Sequence, residues 1–97
     1  MNKQIEQLLK GNNESLQEVG FHQHFAQGGE VAEMLDFILD NYFDKSASGI
    51  NYWCRENFFC SNFKIYLSDR EEYFLDILPR KKDTILAYLI LLKNFEK

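Results

Sequence analysis

Two histidines one residue apart, His22 and His24, are the first side chains in this sequence whose spacing could do chemistry. On a strand, residues i and i+2 share a face and could share a metal ion. No cysteine or carboxylate stands at a spacing that completes a ligand set, so the sequence predicts no metal and no cofactor. Cys54 paired with either histidine would make a thiolate–imidazole couple. A reactive cysteine needs a lowered pKa and an adjacent base, and the residues around Cys54 signal neither, so a buried structural thiol is expected there. Cys54 and Cys60 are six residues apart, about 9 Å along a single helix. A disulfide reaches less than about 7 Å, so two thiols are expected. The glycines form no phosphate-binding loop, and the carboxylates carry no catalytic signature. The sequence therefore predicts a protein that is not an enzyme.

What remains is charge. The chain carries a net charge of −4, unevenly divided. Residues 1–44 hold eight acids against two bases, whereas residues 45–97 hold seven acids against nine bases. An acidic half repels phosphates, which argues against direct binding to nucleic acid or to an anionic membrane and favours a basic partner. The aromatic stretch Tyr52 to Phe74 lacks the excess of basic residues that single-strand nucleic-acid binders place beside their rings, so most of those rings are expected in the core. Arg80-Lys81-Lys82 forms a basic elbow that is expected to be solvated, with a grip on a phosphate or an acidic partner as the alternative.

The acids gather on one predicted element. From Glu30 to Phe43, the residues Val31, Met34, Leu35, Ile38 and Tyr42 share one helical face. Glu30, Glu33, Asp36, Asp40 and Asp44 line the other, joined by Phe37. Like charges three and four apart on a helix cost roughly 0.2–0.5 kcal/mol per pair. The C-terminal end of the helix dipole also disfavours Asp40 and Asp44. Stability alone would place a lysine in that stripe, and an aromatic among carboxylates suits a contact hot spot with a charged rim. Glu33, Asp36, Phe37, Asp40 and Asp44 are thus the expected partner-binding residues.

The elements that must position this stripe read as mainly helical. Asn2 to Lys10 is a short amphipathic helix, stopped at Gly11-Asn12-Asn13. Glu14 to Val19 reads as a further turn, with Leu16 and Val19 inward and Gly20 closing it. Phe21 to Phe25 is ambiguous and ends at Gly28-Gly29. Asp44 to Asn51 reads as a polar connection, with Ser48 placed to cap a helix through Trp53 and Arg55. Phe63 to Leu67 alternates as a strand does. Ser68 to Glu71 fits a capping box for a helix Asp69 to Leu78, ended by Pro79. Asp83 is placed to cap a last helix whose run Ile85 to Leu92 is apolar on every side. At eight residues that run is far short of the roughly 20 a membrane span requires, so it is expected to be buried.

The expected fold is a compact, single-domain, mainly α bundle over residues 1–97. It has four to five helices around a buried C-terminal helix, with an α+β alternative holding a hairpin at 63–78. Charges at Lys3, Glu6 and Lys10 occupy the place of a signal-peptide core, so a cytoplasmic protein is expected. Size, acidity and lack of catalytic machinery point to an inhibitor of a basic protein partner, with an immunity protein or antitoxin against a nuclease-type toxin as the setting. The alternative is a homodimeric helical assembly or regulatory adaptor that meets its copy through Tyr52, Trp53 or Phe59.

Overall fold

Asparagine opens both N-terminal helices. In a computed structural model that describes residues 1–42, 46–56, 58–67 and 75–95, the Asn2 side chain accepts the Gln4 N–H at 2.7 Å and starts α1, Lys3–Lys10. Asn13 accepts the Leu16 N–H at 3.2 Å and starts α2, Glu14–Ala26. Each cap satisfies a backbone donor that the first helical turn leaves orphaned. Helix α3 spans Val31–Tyr42, α4 Ala47–Glu56, α5 Phe58–Tyr66 and α6 Lys82–Phe95. A short helical turn at 75–77 precedes α6, and the described residues contain no strand. The mainly α fold therefore holds, and the hairpin alternative does not: 63–66 belongs to α5. Asp44, the capping box at Ser68–Glu71, and the side chains of Tyr42 and Cys60 lie outside the described residues.

Burial along α5 shows why helix wins there. Phe59, Asn62, Phe63 and Leu67 point inward, whereas Ile65 is 61% exposed. A strand would have put 63, 65 and 67 on one face; a period near 3.6 separates 65 from the other two. The loose alternation of the sequence was the coincidence of a short window.

Gly20 does not end a helix. It lies inside α2, and a Cβ there would stand 2.9 Å from Leu8 Cβ and 3.3 Å from the Ile5 carbonyl oxygen. The missing side chain lets α1 and α2 pack together at close range. The inward face of α2 is accordingly Gly20, Phe21 and His24, while Leu16 and Val19, expected inward, are 47% and 45% exposed. The helix ends instead in a Schellman turn. Gly28 N–H donates to the Phe25 carbonyl and Gly29 N–H to the His24 carbonyl, with Gly28 at φ +80°, a left-handed position that favours glycine.

The cap of α4 is Ser46, whose Oγ accepts the Gly49 N–H at 3.1 Å, and not Ser48. Asp83 sits one residue inside α6 and receives its neighbour's Thr84 N–H. Helix α6 packs on α3, α4 and α5 and presents Thr84, Ala87, Tyr88 and Leu91 to the interior. It is not buried all round: Leu86 and Leu89 remain exposed. Around Phe21 the rings close the space between α2 and α5, with Phe63 edge-on at 4.9 Å and Phe25 stacked on Tyr66 at 4.0 Å. The Cα radius of gyration is 12.5 Å, matching the value of about 12.5 Å for a compact chain of this length. No helix among the described residues is long and apolar enough to cross a membrane.

Candidate docking edge on α3

The acidic stripe exists as an edge, and its charges are matched from within the molecule. Val31, Ala32, Met34, Leu35, Ile38 and Leu39 are all buried, which fixes the rotation of α3 and turns Glu30, Glu33, Asp36 and Asp40 toward the opposite side. Arg80, in the turn before α6, reaches two of them. Its Nη2 lies 2.8 Å from Glu30 Oε2 and its Nη1 3.4 Å from Asp36 Oδ2. The other Asp36 oxygen accepts the Thr84 hydroxyl at 2.6 Å, and Thr84 is buried. Lys81 Nζ stands 3.9 Å from Asp40 Oδ2. The Met1 amino group lies 2.8 Å from Glu33 Oε1. That hydrogen bond holds the Glu33 carboxyl below its ordinary pKa and raises the Met1 amine above its own.

Among the described residues, three cations face the four carboxylates of this edge: Arg80, Lys81 and the Met1 amine. Two residues of the basic elbow, Arg80 and Lys81, face carboxylates of their own chain. The signal for this was present: a helix with five acids and no base needs cations from elsewhere, and the Arg80-Lys81-Lys82 run is the densest source. Sequence alone could not say that the turn places them over α3.

Of the expected contact residues, Glu33 and Asp40 keep side-chain exposures of 38% and 45%. Asp36 is held from both oxygens. Phe37 is half-buried against the core, with Lys10 Nζ 5.7 Å from its ring centroid, so it is no exposed hot-spot ring. Glu30, whose side chain is 50% exposed, joins the edge. Among the described residues, one oxygen of Glu30 and one of Glu33 accept no hydrogen bond, and a carboxylate has about four lone-pair sites.

The histidines separate. On a helix, residues two apart project in nearly opposite directions. His24 is buried, and its Nε2 donates to the Glu30 carbonyl at 2.7 Å. Its ring lies over Gly29, where a Cβ would come within 2.3–2.5 Å of the ring atoms. His22 is half-buried, its Nδ1 sharing a hydrogen bond with the Tyr66 hydroxyl at 2.5 Å. No group of three or more His, Cys, Asp or Glu that could hold a metal occurs among the described residues. Cys54 is buried, its thiol 3.6 Å from the Ala87 carbonyl it points to. An open depression of about 450 Å³ runs along α2, lined by Ser15, Glu18, Val19, His22, Gln23 and Ala26. Trp53 and Phe59, expected as possible dimer contacts, are buried, whereas Tyr52 is 70% exposed.

Comparison with protein-family models, with curated proteins and with solved structures finds no match for this chain.

Proposed function

We propose that this chain is a small, non-catalytic binding protein of the cytoplasm that inhibits a basic protein partner by covering it. An immunity protein or antitoxin of bacterial type is the setting that fits best. The observation that carries this reading is the edge of α3, where the carboxylates of Glu30, Glu33 and Asp40 stand partly exposed and are paired with cations of the same chain. An acid already positioned loses less side-chain freedom on binding than a mobile one. The spare oxygens of Glu30 and Glu33 suit arginine or lysine side chains of a partner.

The internal pairing changes the expected behaviour. With its carboxylates paired within the chain, the edge supplies little long-range steering, so association is expected to depend only moderately on salt. Asp36 becomes a poor probe, because its loss would disturb the fold. The test is affinity capture with the tagged chain from a host lysate, followed by titration of the captured protein. The combined Glu33→Lys and Asp40→Lys variant should bind it at least about tenfold more weakly while melting like a folded protein. Equal binding by the variant, or capture of no basic protein at all, would remove the α3 edge from the account.

A further inference from the structure

Helix α6 carries a second surface that the α3 edge does not explain. Lys82, Leu86, Leu89 and Lys93 are all exposed and fall on one stripe at i, i+4, i+7 and i+11. Leu86 is 38% and Leu89 46% exposed, while Thr84, Ala87, Tyr88 and Leu91 on the inner side are buried. The stripe extends about 16 Å from Lys82 to Lys93. Lys93 sits in the last turn, where the helix dipole favours a cation. Lys82 occupies the first position, where the dipole disfavours one, and it makes no ion pair among the described residues.

We propose that this stripe docks an amphipathic helix from a partner protein, with two apolar side chains one turn apart and a carboxylate a turn beyond each. The charges select this occupant over the others. A second copy of the chain laid antiparallel across a twofold axis would set Lys82 against the copy's Lys93 at both ends. A parallel pairing would set each lysine against itself. Both arrangements put like charges at the rim of an otherwise apolar contact, which disfavours self-association. An anionic bilayer would meet the lysines, but a membrane-surface helix carries a broader apolar face, with more and larger side chains than two leucines. An acidic helix satisfies both lysines and covers both leucines. This surface lies on a different helix from the α3 edge and takes a partner of opposite charge, so it stands or falls independently.

The probe is a synthetic helical peptide with two leucines one turn apart and a glutamate one turn beyond each. It is titrated into the full chain by calorimetry, with backbone amide shifts recorded in parallel. Saturable binding with shifts centred on residues 82–93 is expected. The exposed pair Leu86→Gln and Leu89→Gln should weaken it at least about tenfold without altering the melting temperature. The Lys82→Glu and Lys93→Glu variant should reject the glutamate peptide and accept one with lysines in those places. No saturable binding, or equal affinity for both peptides, would overturn the proposal. So would binding to anionic vesicles in preference to the peptide, or a dimer in sedimentation that the leucine substitutions dissolve.

Discussion

The contact between Glu33 and the Met1 amino group makes a pH prediction with a definite sign. Glu33 titrates below its ordinary value near 4.5, so its contribution to stability is complete above that value and is lost as pH falls through the lowered one. The amine titrates above its ordinary value near 8.0, so its contribution is complete below that value and is lost as pH rises through the raised one. Between 4.5 and 8.0 the pair contributes fully. Melting temperature followed against pH should therefore show the wild type above Glu33→Gln across that window. The two curves should converge on both the acid and the alkaline sides. A constant gap at every pH would mean that the substitution acts through something other than this pair.

At the scale of the helices, two positions separate packing from pattern. Gly20→Ala drives a methyl group against Leu8 and the Ile5 carbonyl. Overpacking of this kind costs about 1–3 kcal/mol, even though alanine is the better helix former by nearly 1 kcal/mol. Denaturant unfolding of the variant should show a net loss of stability; a gain would mean that α1 can move away freely. On α5, Phe63→Ala should cost about 3–5 kcal/mol, since the ring is fully buried. Ile65→Ala, two residues along, should change stability by less than about 0.5 kcal/mol, because its side chain faces solvent. Comparable losses at both positions would fit a strand and contradict the helix.

For the molecule as a whole, Arg80 ties α3 to the start of α6 through Glu30 and Asp36. Its side chain is one-third exposed, so solvent weakens both contacts. Arg80→Ala should lower stability by about 1–2 kcal/mol, with a smaller difference from wild type at high salt than at low salt. It should also make the α3 edge more acidic, leaving Glu30 without its cation. A partner that reads charge at that edge would then associate faster with the variant despite its lower stability. Stopped-flow association at low salt would measure this, and an unchanged rate would place the partner's contact elsewhere.

What the sequence decided by itself was local: helical periods, asparagine caps and glycine stops follow from interactions within a few residues of chain. The apolar face carried by Val31, Met34, Leu35 and Ile38, the stop at Gly11-Asn12-Asn13 and the turn at Gly28-Gly29 were legible for that reason. The course of α2 through Gly20, the helical state of 63–66, the exposed leucines of α6 and the matching of the acidic stripe were settled only in three dimensions. Three of these depend on a neighbour distant in sequence: Leu8 under Gly20, Phe21 against Phe63, Arg80 beside Asp36. Periodicity tells which residues can share a face. Whether a face meets solvent, another helix or an opposite charge depends on how the helices come together, because burial and Coulomb attraction act across space and not along the chain.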